Sequence, residues 1–454
     1  MRKQDNSSQS RLCNLGYNAK EFHFIALSVN QINKNMKDTQ ILIIGAGTAG
    51  IMVASQLLKK HSKAKITILD PAEFHYYQPA WTLVGAGTYD FEKTKRPMAS
   101  LIPKGVTWIQ DFATEIRAKE KQVATQNSGT INYDYMVVAP GLIMDTSLIE
   151  GLSESLGKGV VCSNYTDPKH TWEVIKNFKG GNAIFTQPTT PIKCGGAPQK
   201  IAYLAADYFK KHGISNQSNV VFATPGGVVF GVKEIKQSLE KVILNYGIHF
   251  KPHYAPIKID GENRIITFKQ VNAGDNQCVI NENNVLKEKL SGDSVIEMPF
   301  DMLHIAPPQT APKFIKESDL VNEAGWLDVD IHSMQHKKYP NIFGLGDVAA
   351  LPTAKTGAAI RKQVPIVVDN LIQLIDKQQL GSKSYNGYSS CPLVTGYGKM
   401  ILAEFDYDSN FTPDPKLKQM LIFDSSKEHW RLWMLKKYIL PYLYWEKMMK
   451  GENV

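Results

Sequence analysis

The sequence has few cysteines and no long apolar run. Its 454 residues include five cysteines, an odd and dispersed set that does not fit the disulfide framework of a small secreted domain. No stretch reaches the roughly 20 apolar residues of a membrane-spanning helix. Without zinc-type spacing or a basic-aromatic recognition motif, we predict no metal site and no nucleic-acid partner. The length instead favours two or three domains, each with its own core.

The charge balance is positive, with a formal net charge of +9. An excess of this sign favours anionic partners such as dinucleotides and lipid headgroups. Residues 1–35 are polar and show no periodic pattern. They fit a targeting leader, a disordered extension or a mistaken start codon, and we assign them no function.

A dinucleotide-binding motif opens the patterned part of the chain. Residues 40–44 form a short apolar run that predicts a buried parallel strand. The sequence GAGTAG follows at residues 45–50 and leads into an amphipathic helix. A second strand over residues 65–69 ends in Asp70, which is placed to accept hydrogen bonds from an adenosine ribose.

The three glycines of this motif each have a physical reason. Gly45 permits the tight turn, Gly47 lets a pyrophosphate approach the backbone, and Gly50 lets the helix pack closely on the strand. The start of the helix offers free amides and a positive dipole end to the phosphates.

Two later segments indicate which dinucleotide is bound. Residues 135–141 read as an apolar strand that runs into a Pro-Gly turn, and residues 341–347 as a strand followed by small residues and Asp347. This order resembles that of flavoprotein reductases with two dinucleotide-binding domains, in which Asp347 would contact the flavin ribityl chain. We therefore expect FAD as cofactor.

The second glycine motif of such reductases, which binds a nicotinamide, is degenerate here. The strand predicted over residues 219–223 leads into TPGGVVFG at residues 224–231, where the glycine spacing is wrong and bulky side chains crowd the loop. No acid closes the strand-like run over residues 247–251. We predict a second Rossmann-like unit without nicotinamide chemistry, so the flavin must take electrons from another donor.

These patterns predict an α/β fold with two tandem Rossmann-like domains of the glutathione-reductase type and a C-terminal membrane-associating helical segment. The flavin domain is expected to be discontinuous and to combine residues 36–158 with residues 299–390. The second domain is expected over residues 159–298 and the C-terminal region over residues 391–454.

Two cysteines lie in predicted loops rich in glycine and proline, whereas a buried structural cysteine usually interrupts an apolar strand or helix. A reactive cysteine needs access and a stabilised thiolate. Cys194 lies in PIKCGGAP and Cys391 in SSCPLVTGYG. We interpret Cys13 and Cys278 as incidental, and Cys162 falls on no recognisable motif.

From about residue 40 to about residue 450, the chain resembles the sulfide:quinone oxidoreductases of the mitochondrial-like type. The resemblance rests on several motifs in a fixed order: HYYQP at residues 75–79, TLVGAG at 82–87, GNAIF at 181–185, CGGAPQK at 194–200, GD at 346–347, LPTAKT at 351–356, SCPLVTGY at 390–397 and ILAEFDY at 401–407.

The resemblance implies roles for individual residues. Cys194 and Cys391 would form a disulfide or trisulfide facing the flavin, with the first persulfide on Cys391 and Cys194 nearer the flavin. The sequence itself does not assign these two roles. Lys355 would stabilise the negative charge of reduced flavin. The remaining implied flavin contacts are Thr48, Ala49, Asp70, Gln78, Ala113, Thr356, Gly357 and Ala358.

The resemblance also implies a reaction. Hydrogen sulfide would give two electrons through the cysteines to FAD and then to a membrane quinone, either ubiquinone or menaquinone. The oxidised sulfur would leave to a small thiol or to sulfite, and the oligomeric state, including a homodimer, stays open. The alternatives are a type II NADH:quinone oxidoreductase, a soluble flavocytochrome-linked sulfide dehydrogenase, and a flavin-based sulfide sensor without turnover.

The C-terminal residues 430–449 are rich in aromatic and basic side chains. Pro441 is expected to break the segment into two short helices. Such a segment suits attachment to a membrane surface without crossing it, at a bacterial or mitochondrial inner membrane. Packing on the protein's own core or on a dimer partner is the alternative. The predicted apolar stripe comprises Leu432, Leu435, Ile439, Tyr442 and Leu443.

Overall fold

The computed structural model describes residues 39–61, 64–271 and 284–453. Residues 1–35, Cys13 and Cys278 lie outside these ranges. Ten α-helices are found within them: α1 (Thr48–Lys60), α2 (Trp81–Val84), α3 (Leu152–Ser155), α4 (Pro168–Asn177), α5 (Ala197–Lys211), α6 (Lys233–Tyr246), α7 (Lys313–Lys316), α8 (Gly357–Lys377), α9 (Trp430–Met434) and α10 (Leu440–Glu446).

The strands of the described residues form two five-stranded parallel sheets and several small antiparallel ones. In chain order they are β1 (Gln40–Ile44), β2 (Lys65–Leu69), β3 (Phe74–Tyr76), β4 (Lys95–Pro97), β5 (Thr107–Ile109), β6 (Ala113–Arg117), β7 (Gln122–Thr125), β8 (Thr130–Asn132), β9 (Tyr135–Val138), β10 (Ile143–Met144), β11 (Val161–Cys162), β12 (Gly181–Thr186), β13 (Ser218–Thr224), β14 (His249–Pro252), β15 (Tyr254–Asp260), β16 (Ile265–Gln270), β17 (Lys289–Gly292), β18 (Val295–Pro299), β19 (Met302–His304), β20 (Gln309–Thr310), β21 (Ile342–Gly344), β22 (Ser389–Gly396) and β23 (Lys399–Phe405).

The first sheet is the predicted flavin-binding unit. Its strand order is β21-β9-β1-β2-β5. β1, its first strand in the chain, therefore lies in the middle, and β5 lies at one edge. β1 pairs in parallel with β2 and β9 over most of its length. All four residues from Ile41 to Ile44 are buried, because α1 and α8 cover one face of the sheet and the small sheet with β6 and β7 packs on the other. The doubly wound fold is therefore confirmed for this half.

The second sheet repeats this arrangement, in the order β11-β19-β12-β13-β14. By its position between β13 and β19, β12 corresponds to β1 of the first sheet, and β13 corresponds to β2. The second glycine motif was expected after β13, and this placement is wrong. The loop that occupies the place of a nicotinamide-binding motif lies between β12 and α5, and it contains Cys194.

One predicted boundary also differs from the structure. The second domain was expected to end at residue 298, yet β19 pairs in parallel with β12 and β11 of the second sheet. The second unit therefore extends to His304. Beyond it, β21 returns to the first sheet beside β9. The first sheet thus takes its strands from two separate parts of the chain, and the second part begins after residue 304.

The C-terminal region joins the two units. The hairpin β22–β23 packs on α5, and both lie in one apolar cluster that includes Cys391, Leu393 and Ile201. The final helical segment packs on α1 through Tyr444 and Trp445. No helix of the described ranges has the length and apolar character to cross a bilayer.

Candidate active site

The segments predicted to bind FAD meet at one edge of the first sheet. Each follows the carboxyl end of a different strand: residues 45–50 follow β1, Asp70 follows β2, residues 139–141 follow β9, and residues 346–347 follow β21. In a doubly wound sheet this edge is where ligands bind. The topology therefore brings together residues that are far apart in the sequence.

The first glycine loop has the close contacts that its sequence predicts. Gly45 has a φ of +101°, and a Cβ at Gly50 would lie 1.9 Å from the Gly45 carbonyl oxygen. Only glycine is compatible with both positions. A Cβ at Gly47, by contrast, would have no neighbour within 4 Å. The backbone at Gly47 is therefore open toward the amides that begin α1, as a pyrophosphate requires.

Asp70 lies directly against this loop. Its Oδ2 accepts a hydrogen bond from the Ala46 amide at 2.7 Å, and its Oδ1 accepts one from the Ala72 amide at 2.8 Å. Burial raises the pKa of the carboxyl group above its ordinary value. The Asp70 amide in turn donates to Ile109 at the end of β5, four residues before Ala113. Ala113 begins β6, the strand that follows β5 in the chain, and its contact with adenine stays a prediction.

The loop before α8 forms the other wall of the site. The Thr356 hydroxyl caps the helix by accepting from the Ala359 amide at 3.1 Å, and it is 2.9 Å from the Ser389 hydroxyl. Gly357 and Ala358 form the first turn of α8, and a Cβ at Gly357 would meet no neighbour within 4 Å. A narrow cavity runs between this loop and Gly346.

Lys355 makes contacts that differ from its implied role. Its Nζ donates to the carbonyl oxygens of Asp347 at 2.7 Å and Ala349 at 3.0 Å, and lies over the Trp326 ring at 4.2 Å. Burial lowers its pKa to about 8. In this arrangement Lys355 supports the backbone of the turn that contains Asp347.

A second lysine, which sequence reasoning missed, is closer to the opening of the site. The Lys193 Nζ donates to the Gln78 side chain at 2.5 Å. Asp347 attracts this ammonium group, while burial lowers its pKa. Lys193 precedes Cys194 in the cysteine motif, and that adjacency was the available signal. These open glycines, carboxylates and lysines fit a flavin dinucleotide, whose phosphates the amides at the start of α1 would hold.

Cys194 and Cys391 lie beside the predicted flavin site and form a hydrogen-bonded pair that is not joined by a disulfide. Cys194 has a left-handed backbone, with a φ of +50°, and its amide donates to the Lys355 carbonyl at 2.7 Å. Cys391 is buried in β22, two residues beyond the Ser389 that contacts Thr356. A Cβ on Gly196 would lie 2.7 Å from the Cys391 Sγ, so this glycine gives the second cysteine its place.

The two thiols have opposite proton affinities. The hydrogen bond from Cys391, followed by the Lys200 ammonium, lowers the pKa of Cys194 well below its ordinary value. The Lys200 Nζ donates to the Cys194 Sγ at 2.9 Å from the first turn of α5. The same thiol–thiolate bond, with burial, raises the pKa of Cys391. The Lys200 ammonium therefore favours a negative charge on Cys194, and the proton of the pair is held more firmly by Cys391.

Three further residues that sequence reasoning missed surround this pair. Lys200 is buried, with 1% of its surface exposed, and Lys436 has 4% exposed. The Lys436 Nζ donates to the Pro79 carbonyl oxygen at 3.1 Å, and burial and repulsion by Lys200 lower its pKa to about 7. The Tyr165 hydroxyl donates to the carbonyl oxygens of Lys193 and Cys194. Lys200 lies within the CGGAPQK motif, whereas no pattern marked Lys436 or Tyr165.

Cys162 differs from this pair in its surroundings. It is fully buried in β11, and burial raises its pKa to about 12. No cation stabilises a thiolate there, and the hydrogen bond with Thr171 only partly offsets the burial. A buried thiol of this kind is chemically inert.

The C-terminal helical segment is continuous across Pro441, so the predicted break is wrong. α9 leads directly into a π-helical turn over Leu435–Ile439, which leads into α10 with Pro441 in its first turn. A proline removes one backbone donor, and a wider turn ahead of it re-satisfies the carbonyls that lose a partner. The π-helical turn contains Lys436, whose side chain extends into the cysteine site.

The same segment has one buried and one exposed face. Leu432, Trp433, Tyr444 and Trp445 are buried in the protein's own core, as the alternative interpretation of the segment expected. The predicted stripe is not a single face, because Leu432 is buried while Ile439 and Tyr442 are exposed. We call this exposed side, together with the two exposed apolar residues that precede the segment in the chain, the apolar face; its members are Leu421, Phe423, Trp430, Met434, Tyr438, Ile439 and Tyr442.

The fold and the site together define an oxidoreductase with two dinucleotide-binding folds and a thiol pair beside the cofactor loops. A family model described as pyridine nucleotide-disulphide oxidoreductase matches residues 39–370. The mitochondrial sulfide:quinone oxidoreductase of Dictyostelium discoideum is 41% identical over 91% of this chain and 86% of its own length. That of Mus musculus is 39% identical over the same shares.

A solved structure shows the same fold. The sulfide:quinone oxidoreductase of Aquifex aeolicus superposes with a TM-score of 0.71 at 20% identity, covering 91% of this chain and 92% of that one. The chain therefore belongs to the pyridine nucleotide-disulphide oxidoreductases and, within them, to the sulfide:quinone oxidoreductase family.

Proposed function

We propose that the protein oxidises hydrogen sulfide at Cys194 and Cys391 and passes two electrons through FAD to a membrane quinone. The observation that supports this most strongly is the Cys194–Cys391 pair at the place of a nicotinamide-binding loop, with the Lys200 Nζ 2.9 Å from the Cys194 sulfur. A type II NADH:quinone oxidoreductase would need a glycine motif between β12 and α5, and this loop holds Lys193-Cys194-Gly195-Gly196 instead.

The electron balance starts from a Cys194–Cys391 disulfide. Hydrosulfide attacks the Cys391 sulfur, the bond between the cysteines breaks, and Cys194 leaves as a thiolate that Lys200 stabilises. The new bond makes a persulfide on Cys391, in which the sulfide sulfur has lost two electrons to the cysteine pair. A trisulfide follows the same balance with one additional sulfur atom. The low pKa of Cys194 favours it as the leaving group.

Completion of the cycle needs a sulfur acceptor and an electron acceptor. A small thiol or sulfite takes the outer sulfur of the persulfide, which leaves a Cys194 thiolate and a Cys391 thiol. Reoxidation of this pair to the disulfide releases two electrons and one proton. FAD, when bound, accepts an electron pair from one substrate and delivers it to another. Thr48, Asp70, Gln78, Lys193, Asp347 and Thr356 are the residues that would hold it.

We further propose that the apolar face attaches the protein to a respiratory membrane as a peripheral protein. The face includes Phe423 and Trp430, which are 77% and 59% exposed. Arg431 and Lys437 lie over the neighbouring Trp430 and Tyr438 rings, where they can meet anionic headgroups. Because mitochondrial relatives are similar over nearly the whole chain, we favour the mitochondrial inner membrane.

Removing the whole segment is a poor test of attachment, because its other face lies in the protein core. A Phe423→Ser and Trp430→Ser double variant changes only exposed side chains. We expect it to float with liposomes several-fold less than the parent protein, since each side chain contributes about 2 kcal/mol of apolar burial. Leu244→Ser, at a residue that is 79% exposed on α6, is the matched control. Equal flotation of all three proteins would exclude this face.

The reaction itself is tested by mixing the purified protein with sulfide and decylubiquinone while following the flavin absorbance. Bleaching by sulfide and recovery on quinone addition, over many turnovers, would support the proposed reaction. Bleaching without recovery would indicate a sulfide sensor, and absence of bleaching would contradict the electron path through the cysteines.

A further inference from the structure

Tyr444 connects the C-terminal helix to the first glycine loop. Its hydroxyl is 2.7 Å from the Thr48 Oγ1 and 2.5 Å from the His75 Nε2. The His75 Nδ1 is 3.2 Å from the Ala46 carbonyl oxygen. Ala46 and Thr48 belong to the loop whose amides face the predicted pyrophosphate. The helix that carries the apolar face therefore contacts the phosphate-binding loop through one hydroxyl group.

The directions of these hydrogen bonds follow from their partners. The Ala46 carbonyl can only accept, so the Nδ1 of His75 carries the hydrogen and its Nε2 accepts. Tyr444 must then donate to His75, which leaves its oxygen to accept from the Thr48 hydroxyl. Burial, which lowers the pKa of His75 to about 4, is consistent with a neutral ring. The chain runs in one direction, from Thr48 through Tyr444 and His75 to Ala46.

This chain of bonds fixes both ends of the turn in the glycine loop. The Ala46 carbonyl and the Thr48 side chain both have partners outside the loop, and Asp70 holds the Ala46 amide. With its hydroxyl committed to Tyr444, Thr48 can offer its backbone amide to a phosphate. The Tyr444 ring also packs on the Tyr77 ring, with 4.6 Å between centroids. Nothing else in the C-terminal segment makes a hydrogen bond to this loop among the described residues.

We propose that Tyr444 is a cofactor-retaining residue, which orders the phosphate-binding loop from the C-terminal helix and slows the release of FAD. The inference rests on the proposed use of FAD. It assigns a binding role to Tyr444, which lies 396 positions after Thr48 of the glycine motif. The helix thus contributes separately to the cofactor site through Tyr444 and to the cysteine site through Lys436.

The test compares three variants of the full-length, FAD-loaded protein. Tyr444→Phe removes the hydroxyl and keeps the ring. Tyr442→Phe makes the same change two residues away, at a side chain that is 58% exposed. Ser55→Ala removes a bond from α1 to the Met449 carbonyl at 3.0 Å, which anchors the same segment away from the glycine loop.

We expect Tyr444→Phe to release FAD about tenfold faster than the parent on dilution into a flavin trap, the size expected from losing one or two buried hydrogen bonds. The gain in melting temperature on adding FAD to the apoprotein should also fall. Tyr442→Phe should match the parent in both measurements. Ser55→Ala should lower the melting temperatures of apo and loaded protein equally and leave the release rate unchanged.

Two outcomes would overturn the inference. Release of FAD from Tyr444→Phe at the parent rate would show that the hydroxyl does not retain the cofactor. Equal losses of melting temperature in the apo and loaded forms of Tyr444→Phe would assign it a purely structural role. A parent protein that binds no FAD would instead contradict the proposed function, so the two failures are distinguishable.

Discussion

The two Rossmann-like units share the arrangement of their sheets, but the loops that follow the central strands β1 and β12 contain different residues. After β1, the loop opens its backbone at Gly47, where an added Cβ would meet no neighbour within 4 Å. After β12, the corresponding loop contains Cys194 in a left-handed conformation, bonded to Lys200 of the helix that follows. The same helix start that attracts a phosphate in one unit stabilises a thiolate in the other.

The difference shows how one architecture accepts two kinds of electron donor. A nicotinamide needs a glycine-lined groove for its phosphates, and in this chain the groove is closed by Cys194 and by the hairpin that carries Cys391. The closest approach is at Gly196, where a Cβ would lie 2.6 Å from the Leu393 side chain. Under the proposed function, the second loop therefore brings a sulfur pair to the flavin in place of a dinucleotide.

Substituting either cysteine should have the largest effect on activity of all the changes proposed here. Cys194→Ser and Cys391→Ser each remove one sulfur of the pair, so sulfide-dependent quinone reduction should fall by a factor on the order of 10³ or more. The absorbance of bound flavin should remain. Cys162→Ser, at a thiol that no cation activates, should keep parent activity. A cysteine variant that turns over at the parent rate would exclude the relay.

Adding one methyl group to each loop should separate the two functions. Gly50→Ala should prevent tight packing of α1 on the Gly45 carbonyl, and we expect FAD content to fall at least tenfold. Gly196→Ala should displace β22 and the Cys391 sulfur, with activity lost and FAD kept. Gly231→Ala, where a Cβ meets no neighbour within 4 Å, is the control. Loss of FAD in Gly196→Ala would mean that the two loops are not independent.

Removing the Lys200 charge should lower the reactivity of Cys194 and leave the fold largely unchanged. The Cys194 thiolate is populated above its lowered pKa and is lost as pH falls through that value. In Lys200→Gln this pKa rises, so alkylation of reduced Cys194 by iodoacetamide at neutral pH should slow about tenfold. Mass spectrometry of the Cys194 peptide across pH measures this change. Lys210→Gln, at an exposed lysine of the same helix, should leave the pH profile of Cys194 alkylation unchanged. If Lys200→Gln also left this profile unchanged, Lys200 would not be the residue that stabilises the Cys194 thiolate.

The smallest effect is expected at Lys436. Its pKa of about 7 makes it a cation below that pH and neutral above it. The parent alkylation profile should therefore contain a second inflection near pH 7 that is absent in Lys436→Met, with rates that differ two- to threefold below it. Lys437→Met, the adjacent lysine beside the Tyr438 ring, should retain the inflection. If the inflection near pH 7 persisted in Lys436→Met, it would belong to another titrating group.

The sequence predicted well what depends on local pattern. The β1 strand, the glycine loop and Asp70 follow one another in the chain, and the structure has them at the predicted residues. Cys194 and Cys391 were paired through family motifs, since 197 positions separate them and no local pattern shows that a hairpin packs on α5.

The parts that could not be predicted depend on which strand lies in the middle of a sheet. A loop with glycines follows the strand predicted over residues 219–223. Only the pairing of β12 with both β13 and β19 shows that β12, and not this strand, corresponds to β1 of the first sheet. Lys436 was missed because lysine is rarely buried, although it follows buried Leu432 by four residues and buried Trp433 by three. Its inward position is set by tertiary contacts with the cysteine site.

The central claim is that the second loop supplies electrons from sulfur and not from a nicotinamide. The most direct test is an anaerobic titration of the FAD-loaded protein, in which the flavin absorbance is followed after adding sulfide or NADH in separate experiments. Stoichiometric bleaching by sulfide and none by NADH over the same period is the result we predict. Bleaching by NADH at a comparable rate would contradict the account.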